Sequence, residues 1–129
     1  MTPVKTLVVD DSMPMRKAIK DALQRAKACD VIGEAANGLE AVELARALRP
    51  NLIVLDVNMP VMGGIEALRV LRSEFPCTQV VMVSSILEGE VRDHALGLGA
   101  AACLEKGPEL WERLPAIVTE LAVKCPAKT

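Results

Sequence analysis

The sequence predicts an α/β protein, a doubly wound five-stranded parallel sheet with helices on both faces. Two observations carry this prediction. Apolar, β-branched runs alternate with helical patterns five times along the 129 residues, and strict alternation of this kind makes a parallel sheet covered on both sides. The runs also stop abruptly at polar groups: Asp10-Asp11, Asp56, Ser84-Ser85 and Lys106. Strands end this way where they surface at the carboxyl edge of such a sheet, the edge that gathers functional groups. Right-handed crossovers leave two doubly wound strand orders open.

Each element has a local cause. Val4–Asp10 is a strand rich in β-branched residues. Ser12 supplies an N-cap, and Pro14 sits in the first helical turn, where a missing N–H costs little. That helix runs to about Lys27, with Ile19, Ala22, Leu23 and Ala26 on one face. Val31–Ala35 is a short strand. Asn37-Gly38 turns the chain into a helix near Leu39–Leu48, which ends before Pro50. Leu52–Asp56 is a wholly apolar strand until its last residue. The loop Val57-Asn58-Met59-Pro60 leads through Gly63-Gly64 into a helix ending near Glu74, closed by Pro76. Val80–Ser84 is a strand, Glu88–Leu98 a helix and Gly99–Glu105 a strand of small residues. The last helical region spans about Pro108 to Val123. Proline removes a backbone bond and clashes one turn back, so a kink or break is expected near Leu114, with the main helix starting at Pro115. Trp111 then packs in the short turn before it.

Composition narrows the function. The length suits one domain over residues 1–129, with a core of about 4–123. Hydrophobic residues make up 51% and charged residues 25%, and the net charge of -2 argues against a nucleic-acid surface. No apolar run approaches the ~20 residues of a membrane span, and Met1 to Lys5 lacks the order of a signal peptide. The expected compartment is the cytoplasm. Cys29, Cys77, Cys103 and Cys125 form no Cys-x-x-Cys pair, so zinc and redox motifs are unsupported. They are expected to be reduced thiols acting mostly as apolar filler, with Cys125 the most exposed. His94, the only histidine, is assigned to the surface.

Two neighbouring strands ending in Asp10-Asp11 and Asp56 place three carboxylates in one pocket. They repel one another unless protons or a cation intervene, and a hard divalent cation with oxygen ligands is the natural relief. Taken singly, Asp10-Asp11 could also be a strand-to-turn acid pair, Asp56 an N-cap and Lys106 a solvated lysine.

The assembled set resembles the receiver domain of bacterial two-component response regulators over about Thr6 to Leu121. The residues that carry the resemblance are Val8-Val9-Asp10-Asp11-Ser12, Leu55-Asp56-Val57-Asn58-Met59-Pro60 with Met62 and Gly64, Val81-Met82-Val83-Ser84-Ser85, and Lys106. The stretches Asp10–Met15, Leu55–Ala67 and Val80–Ser85 are most similar to the receiver of chemotaxis methylesterases. The resemblance implies the flavodoxin-like strand order 2-1-3-4-5. It implies that Asp56 accepts a phosphoryl group from a phosphohistidine on a sensor histidine kinase or phosphotransfer protein. It implies Mg2+ bound by Asp11, Asp56 and the backbone carbonyl of Asn58, with Asp10 holding a metal-bound water. Lys106 would pair with the acceptor and then the phosphoryl oxygens, and Ser84 would bond the phosphoryl group on arrival. Backbone N–H groups after Asp56 and at Ser85 would complete the oxygen shell. Downstream, the resemblance implies a partner protein or an output domain, with homodimerisation through the last helices and strand open.

Three positions depart from the common pattern. Gly63 replaces an acid, Gly107 separates Lys106 from Pro108, and Cys103 stands where an aromatic switch residue usually sits. A cis bond directly after the lysine is therefore not expected, since cis peptides are essentially an X-Pro feature. Switching would fall to Ser84, Ser85 and the backbone of the fourth helix. Asn58 and Ile86 occupy positions that tune acyl-phosphate lifetime in the family. Three other functions compete. A phosphatase or phosphotransferase with an aspartyl intermediate commonly places a second acid near the nucleophile, and Val57 and Asn58 follow Asp56 here. A flavin carrier wants stacking rings, and aromatics are 2% of the chain. A receiver that docks without phosphorylation has no need of the full acid, hydroxyl and lysine set. The expected protein is a switch and not a turnover enzyme. The tail after the last helix is too short for a catalytic domain, so the expectation is a receiver that docks onto a partner or was cut from a longer regulator.

Overall fold

The structure, a computed structural model, describes residues 3–25, 29–85 and 89–124. Ten elements follow in order: β1 (Val4–Val9), α1 (Met13–Gln24), β2 (Cys29–Ala35), α2 (Gly38–Leu48), β3 (Leu52–Asp56), α3 (Gly64–Glu74), β4 (Gln79–Ser84), α4 (Gly89–Gly97), β5 (Ala102–Glu105) and α5 (Leu110–Lys124). The sheet is parallel throughout, in the order β2-β1-β3-β4-β5. This is the flavodoxin-like arrangement, with the order reversing between β1 and β3.

The strand period of two divides the core. Leu7, Val9, Ile53, Leu55, Val80, Met82 and Cys103 face one side, where Ala41, Val42, Ala45, Ala67, Leu68, Leu71 and Ala95 from α2, α3 and α4 cover them. Val8, Leu52, Val54, Val81, Val83 and Leu104 face the other side, against Ile19 and Leu23 of α1 and Leu110, Leu114 and Val118 of α5. Caps follow local chemistry. The Ser12 side chain accepts from the Met15 amide at 3.3 Å, and the Asn37 side chain accepts from the Glu40 amide at 2.9 Å.

The differences from expectation lie at boundaries and at one proline. Strand β2 starts at Cys29, earlier than Val31, because its pairing with β1 skips Ile32 between Thr6 and Leu7 and so extends past a bulge. Strand β5 starts at Ala102, not Gly99, since Gly99 has φ 105°, off the strand region. Helix α5 is continuous from Leu110 to Lys124 through Pro115, with no break near Leu114. The buried stripe Leu110, Leu114 and Val118 is spaced by four and holds both sides of the proline on the sheet, which outweighs the bond lost at the Trp111 carbonyl. Trp111 packs half-buried in the first turn, as expected. Among the described residues no peptide bond is cis. Cys29 is half-buried and Cys103 buried, both with thiols pushed up by burial, while Cys77 is exposed. His94 is exposed and 3.2 Å from Arg69 Nη2. Ala26, Lys27, Ile86, Glu88 and Cys125 lie outside the described residues. No described helix is long and apolar enough to cross a membrane.

Val61, in the β3–α3 loop, has φ 68° and is 79% exposed. A β-branched residue pays a steric cost of about 1–2 kcal/mol there, whereas asparagine tolerates this region. Val61→Asn is therefore expected to stabilise the protein by about 1 kcal/mol, checked by urea unfolding; a loss of stability would contradict the strained conformation.

Candidate metal and phosphoryl site

The site grows from the carboxyl ends of β1, β3, β4 and β5. Val9 pairs with Leu55, so the next residues, Asp10 and Asp56, are brought side by side. Asp56 pairs with Val83, and Ser84 pairs with Glu105, which sets Ser84 and then Lys106 along the same edge. The Lys106 amide donates to the Ser84 carbonyl at 2.7 Å, fixing the start of the β5–α5 loop. Asp10, Asp56 and Ser84 are buried, Lys106 is half-buried, and Asp11, Asn58 and Ser85 are exposed.

One carboxylate oxygen each from Asp10, Asp11 and Asp56 lies within 4.8 Å of the others. Lys106 Nζ sits 2.8 Å from Asp10 Oδ2 and 3.3 Å from Asp56 Oδ1. Asp10 Oδ1 accepts from the Ser12 amide at 2.9 Å. Asp10 Oδ2, fully buried, has the lysine as an ion-pair contact but no hydrogen bond of acceptable geometry. A buried carboxylate oxygen short of hydrogen bonds, among three converging acids, suits a hard cation such as Mg2+, which takes oxygen ligands and keeps several waters. Asp11, Asn58 and Glu66 line an open hollow next to the cluster.

Electrostatics follow from burial. Desolvation pushes the Asp56 carboxyl up, the Asp10 charge pushes it further, and Lys106 together with the Asn58 amide pulls back without prevailing. For Lys106, burial favours the neutral amine, but the close ion pair with Asp10 and the charge of Asp56 win, so its pKa rises. The folded protein thus holds the Asp56 proton more tightly than the unfolded chain, whose carboxyl titrates near 3.8. Stability should fall as pH climbs from that value through the raised one. Lys106 acts with the same sign in a higher window: its contribution is fully present below 10.5 and is lost as pH rises through the folded value. Melting temperatures in chelator across this range are expected to fall on both limbs. Asp56→Asn should flatten the first and Lys106→Met the second; unchanged limbs would mean other groups dominate.

The residues singled out in the sequence therefore converge on one edge. Two details were not anticipated. The Val57 amide directly after Asp56 is engaged with the Val83 carbonyl at 3.1 Å, while the Asn58 amide bonds the Asp56 carboxylate. Arg16, which no motif had marked, donates to the Asp10 carbonyl at 2.6 Å. Its place one turn beyond the Ser12 cap was the only sequence signal.

Comparison with known proteins agrees with this fold. The chain is 42% identical over 122 residues to a protein-glutamate methylesterase/protein-glutamine glutaminase of Methanococcoides burtonii, covering 94% of this chain and 34% of that protein. It is 43% identical over 111 residues to protein-glutamate methylesterase/protein-glutamine glutaminase 4 of Myxococcus xanthus, covering 83% and 31%. The chain thus spans about a third of the length of the curated relatives it matches. Among solved structures, the response regulator domain of Thermotoga maritima CheB superposes with a TM-score of 0.83 at 35% identity, covering 95% of this chain and 96% of that one. Residues 6–118 match the response regulator receiver domain model, and the chain belongs to that family.

Proposed function

We propose that this chain is a phosphorylation-activated switch in which Asp56 takes the phosphoryl group. The observation that supports it best is the convergence of Asp10, Asp11 and Asp56 within 4.8 Å, with Lys106 3.3 Å from Asp56. In the proposed step an Asp56 carboxylate oxygen forms a bond to phosphorus as the phosphorus–nitrogen bond of a phosphohistidine breaks, and the leaving imidazole keeps the electron pair. The donor is a sensor histidine kinase or phosphotransfer protein. Asp11, Asp56 and the Asn58 carbonyl would hold Mg2+, and Asp10 would hold one of its waters. Bound there, the cation neutralises charge on the transferring group. Lys106 loses one acidic partner and gains phosphoryl oxygens as new ones, and the Ser84 hydroxyl turns toward them.

The response then reaches the surface through Ser84, Ser85 and α4. Helix α4 is anchored by a single buried residue, Ala95, among its described positions, and thin anchoring marks a low-stability element. Cys103, buried in β5, offers no ring to rotate. The downstream effect is altered binding of a partner or output domain through α4, β5 and α5. Since the relatives matched are named as methylesterases and glutaminases, an output of that class is the proposed destination. Cytoplasmic signalling and a single-domain unit over 1–129 belong to the same proposal.

The test is intact-protein mass spectrometry after incubation with acetyl phosphate. A gain of one phosphoryl group with Mg2+, and none with chelator, is expected. No gain in either condition would end the proposal, and steady phosphate release from generic esters would favour an enzyme instead.

A further inference from the structure

The loop between β1 and α1 carries two of the three acids, and its shape is held by a side chain from the helix it leads into. Strand β1 ends at Val9, so the Asp10 carbonyl lies beyond the ladder. Arg16 Nη1 donates to that carbonyl at 2.6 Å, while its Nε donates to Glu34 Oε1 at 3.1 Å. Glu34, on the neighbouring strand β2, takes Lys20 on its other oxygen at 2.7 Å. The Arg16 side chain is 14% exposed, and its own amide donates to the Ser12 carbonyl at 2.9 Å. The loop is thus tied at three levels: the Asp10 amide donates to the Ala35 carbonyl at 3.1 Å, Asp10 Oδ1 accepts from the Ser12 amide at 2.9 Å, and the Asp10 carbonyl accepts from Arg16.

We infer that Arg16, held by Glu34, is a positioning residue for the divalent-cation site, an inference that rests on the function proposed above. The carbonyl that Arg16 grips belongs to the peptide joining Asp10 to Asp11. Rotation of that peptide would swing the Asp11 carboxylate, which is exposed and otherwise unconstrained by burial. Fixing the peptide aims Asp11 toward Asp10 and Asp56. The planar fork of arginine suits this task, because it reaches two acceptors at a fixed angle, where an ammonium is a single point of charge. Charge alone predicts the opposite effect. A guanidinium beside a cation site repels the cation, so an arginine acting only through its charge would weaken metal binding. Glu34 offsets that charge as it fixes the fork. The sign of the metal-affinity change therefore separates positioning from plain electrostatics.

Calorimetric titration of the full chain with Mg2+ provides the test, with Arg16→Met, Arg16→Lys, Glu34→Gln and, as a distant ion-pair control, Arg46→Met. Removing an outer-shell partner costs on the order of tenfold or more in metal affinity, so Arg16→Met is expected to weaken Mg2+ binding about tenfold. Arg16→Lys and Glu34→Gln should weaken it less, and Arg46→Met should leave it unchanged. Amide exchange at Ser12, measured in metal-free buffer, should speed up in Arg16→Met. Unchanged or tighter Mg2+ binding in Arg16→Met overturns the inference. Should Arg16→Met lose its fold, Arg16→Lys decides, because it keeps the charge and loses the planar fork: unchanged or tighter Mg2+ binding there overturns the inference. If the parent chain binds no Mg2+, the proposed function falls on that result, and the Ser12 amide still decides the clamp: equal exchange in parent and Arg16→Met overturns it.

Discussion

Asp56→Asn is expected to abolish phosphoryl uptake completely while raising the melting temperature of the metal-free protein at neutral pH. The first effect follows from chemistry: an amide at this position has no carboxylate oxygen to form an acyl phosphate. The second follows from the site. Asp56 is 4% exposed and sits in the field of Asp10, and burial and that charge both push its carboxyl upward despite Lys106. Asparagine has nearly the same shape and carries no charge to desolvate. Lys106 keeps its 2.8 Å contact with Asp10, so the change strands no buried cation. Mass spectrometry after acetyl phosphate treatment and thermal unfolding in chelator check the two halves separately. Undiminished uptake by the variant would place the acceptor elsewhere. A lower melting temperature would show that the Lys106–Asp56 pair outweighs the cost of burying the Asp56 charge.

The second large effect is at Gly64. Its amide donates to the Val57 carbonyl at 2.8 Å, which folds the loop after Asp56 back onto the start of α3. A Cβ at Gly64 would overlap the Asp56 carbonyl oxygen and lie 2.8 Å from Val57 Cα. Both obstacles are backbone, so no side chain can swing aside. Overpacking of a tight site costs about 1–3 kcal/mol and occasionally more, and Gly64→Ala belongs at the upper end, about 3 kcal/mol. That corresponds to a fall of roughly 10 °C in melting temperature for a domain of this size. Relief of the clash must move the Asp56 peptide, so phosphoryl uptake should slow as well. Gly97→Ala is the internal contrast. Nothing lies within 4 Å of a Cβ there, and replacing a helical glycine is expected to stabilise by about 0.5 kcal/mol. Denaturant unfolding of both variants checks the pair; a mild effect at Gly64 would mean that the loop repacks freely.

Much of the site was legible because the relevant signals are local. Leu52-Ile53-Val54-Leu55 ending at Asp56 reads as a buried strand that surfaces at an acid, and the structure buries all of those residues. Ser12, Asn37 and Pro14 announced helix starts through capping chemistry confined to one turn. Pro115 misled for the opposite reason. Its local cost is real, yet a stripe of leucines and valine four residues apart packs across it on a sheet formed by distant strands. The early start of β2 was hidden likewise, since the bulge at Ile32 depends on pairing with β1.

The chain by itself determined the alternation of strands and helices and the placing of acids, hydroxyls and a lysine after the right runs. Those properties depend on neighbours a few residues apart, so they are written in hydrophobic period and capping residues. Only the tertiary structure decided which way Asp56 and Lys106 shift, why Gly64 admits no side chain, and that Arg16 reaches back to Asp10 while Glu34 holds it from another strand. Those depend on burial and on distances between segments far apart in sequence, which exist only once the sheet has brought its strand ends together.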